Sequence, residues 1–360
     1  MSDKSQYNKV IVYGKQKEEK PMGKNLILVA IAAFAVIGII ASFGDDGDST
    51  HKTTEPTAPQ AAVSAGTPAD AQGDESATNA ESALPSDPEP EIVILDSVTY
   101  SGSGDDVIEI QPFGQPWMMH ITGNSGGRHF AVKGYDSNAE PVDLFVNVSD
   151  PYDGYVFDHT QSTTTLEISA EGAWSVELVS LYTADVLDVD TPIAGQGDRV
   201  LAVAFPDILW TLHVAGNSGE HHFAVKGYDP AFDSTELFVN TSEYYDGVTL
   251  DASQSTAYLA VTSESDWTIE IVEARNLTEA NQGDTITGNG DMVIMTDTVG
   301  STATISGNSG ANHFAVKSYS YTNSDLLVNT TDPYEGKVML EFDPTLMVVT
   351  AEGDWSITFN

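Results

Sequence analysis

The alternation of apolar and polar positions gives the chain three textures. Asn25 to Phe43 (NLILVAIAAFAVIGIIASF) carries no charged residue. A helix of that length rises about 28 Å, close to the roughly 30 Å of a bilayer's hydrocarbon core. This predicts a transmembrane anchor over 25–43, and the poor Ala41-Ser42-Phe43 cleavage site favours an anchor over a removed signal peptide. Residues 44–91 are rich in Ala, Pro, Ser, Thr, Asp and Glu and nearly lack large apolar side chains. Such a stretch buries too little surface to offset its ordering entropy, which predicts a disordered linker.

From Ile92 onward the chain reads as short β-rich runs broken by Gly, Asn, Asp and Pro. Strands are predicted at Val107–Ile110, Trp117–Thr122, His129–Tyr135, Leu144–Val148, Tyr155–Phe157, Thr165–Ala170 and Trp174–Val179. Seven short strands with turn residues every ten or so positions predict an antiparallel β-sandwich. In the last strand Trp174, Val176 and Leu178 share one face, with Ser175 and Glu177 on the other. Later copies repeat this with Trp267, Ile269 and Ile271, then Trp355, Ile357 and Phe359. Burying one tryptophan removes about 150–250 Å² from water, roughly 4–6 kcal/mol, so Trp174, Trp267 and Trp355 are predicted core residues. Phe130, Phe223 and Phe314 join them by the same parity.

One phrase organises these copies. Gly123-Asn124-Ser125-Gly126 is followed, after two residues, by His129-Phe130-Ala131-Val132-Lys133; Gly216 to Lys226 and Gly307 to Lys317 repeat it. A period of about 90 residues exceeds that of solenoids and means tandem domains, each with its own core. The predicted fold class is therefore all-β, with three tandem antiparallel β-sandwich domains of about 85 residues. Their ranges are 92–180, 181–274 and 275–360, after a cytoplasmic tail (1–24), the anchor and the linker. Short connections near Ser180 and Ala274 predict a close-set array with limited hinge freedom.

Charge sharpens the topology. Lys4, Lys9, Lys15, Lys17, Lys20 and Lys24 precede the apolar run, and Asp45, Asp46 and Asp48 follow it. The positive-inside rule then predicts a cytoplasmic N-terminus and an extracellular body, single-pass in the cell membrane. Over 360 residues there are 54 acidic against 14 basic side chains and no cysteine. Disulfides and cysteine metal sites are excluded, and an acidic body repels nucleic acid. Its excess charge is read as a solvated surface, with divalent-cation binding or adaptation to high salt as alternatives.

Three repeated motifs carry candidate chemistry. Gly102-Ser103-Gly104-Asp105, Gly195-Gln196-Gly197-Asp198 and Gly288-Asn289-Gly290-Asp291 place an acid in a Gly-rich loop, making Asp105, Asp198 and Asp291 candidate calcium ligands as well as plain turn residues. Reading Gly123–Gly126 as a four-residue hairpin loop puts His120 opposite His129, and His213 opposite His222. Those pairs are candidate Zn²⁺ or Cu²⁺ ligands, with surface histidine as the alternative reading and Thr304 interrupting the pattern in the third copy. Tyr152-Asp153-Gly154, Tyr245-Asp246-Gly247 and Tyr334-Glu335-Gly336 are read as anchors of a loop to the sandwich. Trp117 and Trp210 are read as packing residues, with a sugar-stacking platform as the alternative.

These motifs, with Leu144 to Asn147, Leu237 to Asn240 and Leu326 or Leu327 to Asn329, and a final tryptophan strand, resemble a repeat module of secreted and membrane-anchored surface proteins of actinobacteria. The same stretch is similar to the pre-peptidase C-terminal type of β-sandwich. The resemblance implies an accessory, non-catalytic sandwich, calcium-associated in the second case, and transfers no catalytic residue. The expected function is a membrane-anchored surface protein presenting three non-enzymatic modules to a cell-envelope polymer or another surface protein. A calcium- or transition-metal-dependent extracellular enzyme and a purely structural spacer are the alternatives.

Overall fold

A computed structural model describes residues 94–360 apart from 190, 205–208, 220 and 311. The expected tail (1–24), anchor (25–43) and linker (44–91) lie outside the described residues. The first repeat opens with β1 (Val98–Ser103), β2 (Asp106–Glu109), β3 (Trp117–Gly123) and β4 (Phe130–Tyr135). It closes with β5 (Pro141–Val148), β6 (Tyr152–Val156), β7 (Thr165–Ser169) and β8 (Ala173–Ser180). Strands β2 to β8 are the seven expected from periodicity. β1 escapes that pattern because it is an edge strand whose Val98 stays exposed, with Tyr100 its one side chain against the core.

The strands form two four-stranded antiparallel sheets, ordered β1-β8-β3-β6 and β2-β7-β4-β5. Packed face to face, that order is a jelly roll. It corrects the hairpin reading of Gly123–Gly126. β3 and β4 are consecutive but belong to opposite sheets, so the loop is a corner between layers. Gly and Asn favour any tight reversal, and local turn chemistry does not say which sheet the chain enters next.

The buried Asn124 holds this corner at φ 58°, in the left-handed region Asn tolerates. Its side chain accepts the Arg128 N–H at 2.8 Å and donates to the carbonyls of Arg128 and Asp150. Asn217 and Asn308 make the same clamps at φ 64° and 62°.

The second and third repeats reproduce the scheme, with Trp210–Gly216 and Thr302–Gly307 standing where β3 stands. One addition departs from the purely antiparallel expectation. Asp185–Leu187 runs parallel to Arg199–Val203, and Thr278–Asn281 runs parallel to Met292–Asp297. Each extra strand is the chain arriving from the preceding repeat, which lies along the edge of the sheet it is about to build.

Between the layers sit three apolar cores containing the predicted tryptophans and phenylalanines, all at most 4% exposed. Trp117 and Trp210 are 1% exposed, which makes them packing residues. The terminal tryptophan explains the Gly-x-Gly-Asp motif. Gly102 is the cross-strand partner of Trp174, and a Cβ there would meet Trp174 Cζ2 at 2.4 Å. The indole N–H then donates to the Gly104 carbonyl at 3.0 Å. Trp267 and Trp355 repeat this against Gly195 and Gly197, then Gly288 and Gly290.

Gly195→Ala should therefore lift the Trp267 ring and cost about 1–3 kcal/mol by overpacking, and Trp267→Ala about 3–5 kcal/mol. Because the two residues share one contact, the double variant should cost less than the two single losses together. Urea unfolding of the three variants followed by circular dichroism measures this. A neutral Gly195→Ala would remove the role assigned to that glycine.

Candidate functional site

The acid loop and the tyrosine motif prove to be two halves of one contact between consecutive repeats. Tyr152, in β6, donates its hydroxyl to Asp198 Oδ2 of the second repeat at 2.6 Å. Tyr245 does the same to Asp291 Oδ2 of the third repeat at 2.8 Å. The other carboxylate oxygen of each aspartate accepts a backbone N–H, from Ser263 at 2.9 Å and Ala351 at 2.8 Å. Main chain reinforces the joint: Tyr155 N–H donates to the Asp198 carbonyl and Val248 N–H to the Asp291 carbonyl, both at 3.0 Å. Gly154 and Gly247 are required, since a Cβ would lie 2.7 and 2.9 Å from the tyrosine hydroxyl folded over it.

Apolar side chains close around these bonds. At the first joint Met118 and Phe157 of the first repeat, with Leu181 of the connecting turn, meet Val200 and Tyr228 of the second. Phe157 stands edge-on to Tyr228 with centroids 5.3 Å apart. At the second joint Leu250 meets Val293 and Leu346. Outward-facing residues of one sheet thus become interior wherever another repeat follows.

Burial pushes the Asp198 and Asp291 carboxyls above their ordinary value, although the bonds from tyrosine and backbone pull the other way. Burial, followed by the adjacent carboxylate, pushes the Tyr152 and Tyr245 hydroxyls far up, so they remain proton donors. Calcium at Asp198 or Asp291 would compete with two hydrogen bonds already made by each carboxylate. Asp105 receives the Ala170 N–H at 2.9 Å.

The structure separates the predicted histidine pairs. His120 lies on β3, while His129 immediately precedes β4 in the opposite sheet, and the same holds for His213 and His222. This corrects the cross-strand metal pairing, which required β3 and β4 to be neighbours. His120 instead has carboxylates of its own sheet, with Nε2 at 2.7 Å from Asp153, and stacks on Tyr155. His213 lies between Asp246 and Glu270, each at 2.7 Å. Burial pushes its imidazole down, but the two carboxylates outweigh burial and hold it above its ordinary value.

His129, His222 and His313 share a different partner, the Asn that ends the Leu-x-Val-Asn element. Their Nε2 atoms lie 3.3, 3.2 and 3.1 Å from Asn147, Asn240 and Asn329 Oδ1. Beside each pair stand an exposed lysine (Lys133, Lys226, Lys317) and an exposed leucine. Leu144, Leu237 and Leu326 are 48, 48 and 49% exposed, and each leucine is the strand partner of its lysine. Sequence reasoning missed this grouping and the Tyr–Asp joint. The signal was present in the co-repetition of the motifs, but nothing local says which of them meet. A groove of about 830 Å³ runs along the first joint, lined by Leu144 and Asn147 on one side and by Arg199, His222 and Lys226 on the other.

No protein-family model matches the sequence, and no curated protein matches it. Among solved structures the chain is similar to a triple jelly roll protein of an archaeal virus turret, at 8% identity and TM-score 0.24, over 70% of this chain and 80% of that one. It is also similar to a cAMP-independent protein kinase A regulatory subunit from Trypanosoma cruzi bound to guanosine. That match has 7% identity and TM-score 0.16, over 49% of this chain and 72% of that one. Likenesses this weak carry no argument about function.

Tyr245→Phe should leave the half-buried Asp291 short of a donor and cost about 1–3 kcal/mol. Hydrogen exchange should then quicken at Val248 and Ala351 while Tyr155 and Ser263 keep their protection; uniform loss at both joints would refute a local clasp. The carboxyl of Asp291 is raised in the folded state, so its stabilising contribution is present at acid pH and is lost as pH rises through the folded value, above 3.8. Asp291→Asn should accordingly flatten the fall of stability with rising pH relative to the parent, read from melting midpoints across a pH series. An unchanged slope would count against a titrating joint.

Proposed function

We propose that the chain is a single-pass surface protein. Residues 25–43 anchor it in the bilayer, 44–91 tether it, and three non-catalytic sandwiches bind a cell-envelope polymer or another surface protein outside the cell, with no cofactor in the contact. One observation carries the binding reading: the same exposed group of His, Asn, Lys and Leu stands at the same place on all three repeats, outside the cores and not hydrogen-bonded into the Tyr–Asp joint. The apolar and hydrogen-bonding members of that group suit a polymer or extended segment offering both kinds of contact. Three copies held at set spacing by the joints convert weak single contacts into avidity.

The full chain in detergent micelles should retain purified wall polymer or a membrane surface protein in a pull-down. Replacing His129, His222 and His313 together by Ala should weaken retention on the order of 100-fold, and any one alone far less. Melting midpoints should barely move, since these side chains are exposed. Silence of the parent across wall polymers and surface proteins would overturn the proposal. The joints favour a spacer as the second reading, in which deleting the middle repeat shortens the array and changes no binding.

A further inference from the structure

Among the described residues, the first and third repeats carry unmatched halves of the joint. At the first repeat, Asp105 occupies the place of Asp198 and Asp291, yet among the described residues no tyrosine reaches it. At the third repeat Tyr334 folds over Gly336 as Tyr152 and Tyr245 fold over their glycines, with its hydroxyl 2.6 Å from the place a Cβ would take. Among the described residues that hydroxyl has no acceptor.

The apolar positions tell the same story. Val107 corresponds in register to Val200 and Val293, which are 4% and 1% exposed inside the joints, but is itself 66% exposed. Met339 corresponds to Phe157 and Leu250, which are 7% and 8% exposed, and is itself 63% exposed. Around these positions the charges are complementary. Glu109 and Glu167 of the first repeat stand where Ala202 and Ala260 stand in the second, and the exposed Lys337 of the third stands where Tyr155 and Val248 stand earlier.

We propose that two copies of the chain associate head to tail, the third repeat of one against the first repeat of the next, through an intermolecular version of the internal joint. Tyr334 would donate to Asp105, Met339 would cover Val107, and Lys337 would face Glu109 and Glu167. Such a contact is heterologous, so successive chains extend into rows, or into rings where the rotation between copies closes. It has fewer apolar side chains than the internal joints, which makes it weaker and dependent on concentration. Chains confined to a membrane surface would meet that requirement more readily than chains in dilute solution. The proposal stands independently of the ligand argued for above.

The absence of cysteine makes the test clean. Full chains in detergent micelles carrying Val107→Cys alone, or Met339→Cys alone, are oxidised separately and as a mixture. Both positions are exposed, so folding should be preserved and circular dichroism can verify it. The mixture should yield disulfide-linked dimers at least tenfold above either variant alone. Adding Lys337→Glu to the Met339→Cys chain should cut that yield about tenfold, and Glu109→Lys with Glu167→Lys in the partner should restore it. Equal dimer in the separate samples, no dimer in the mixture at any attainable concentration, or indifference to Lys337→Glu would each overturn the proposal.

Discussion

In each repeat a tryptophan ring lies flat on a glycine of the facing strand and donates its N–H to the carbonyl two residues on. That contact joins the last strand to the first, so the sandwich closes only when the whole repeat is in place. It also sets the position of the aspartate that follows the second glycine, and through the aspartate the distance to the neighbouring repeat. Core, sheet closure and inter-repeat spacing therefore depend on a single residue without a side chain. A methyl group there reaches within 2.4 Å of the ring and disturbs all three.

The joint is a polar bond sheltered by apolar surface. A tyrosine hydroxyl donating to a carboxylate is strong when water is excluded, and the same exclusion makes an unmatched partner costly. This is why the outward faces differ between copies. In the first and second repeats the face carries Phe157 or Leu250 with Tyr155 or Val248 beside it; in the third, Lys337 stands where Tyr155 and Val248 stand, and Met339 is exposed. The first repeat is modified in the same sense, with Glu167 satisfied by Tyr135 and Lys133. Faces of this intermediate character neither bury themselves nor shed their complementarity.

The repeated motifs separate into two kinds of work. Gly-x-Gly-Asp, Tyr-[Asp/Glu]-Gly and the buried asparagine of the corner are structural: they seat the tryptophan, clasp the next repeat and carry the chain between sheets. The His–Asn pair with its lysine and leucine lies outside the cores and makes none of the clasp's hydrogen bonds, so its recurrence is not accounted for by either. Sequence alone could not sort the two groups, because both recur with equal regularity.

Two-residue alternation along the chain settled the strands β2 to β8 and the inward face of the tryptophan strands, and the recurrence of one phrase about every 90 residues settled the number of repeats. Which strands become neighbours is a property of the closed sandwich. β3 and β4 read as a hairpin because turn chemistry is local, and only the packing of both layers sends them to opposite sheets, parting His120 from His129. The acid loop and the tyrosine motif likewise appeared as separate ornaments of each copy. Residues 46 positions apart became partners once one repeat's sheet lay against the next, a relation that exists in three dimensions and has no signature along the chain.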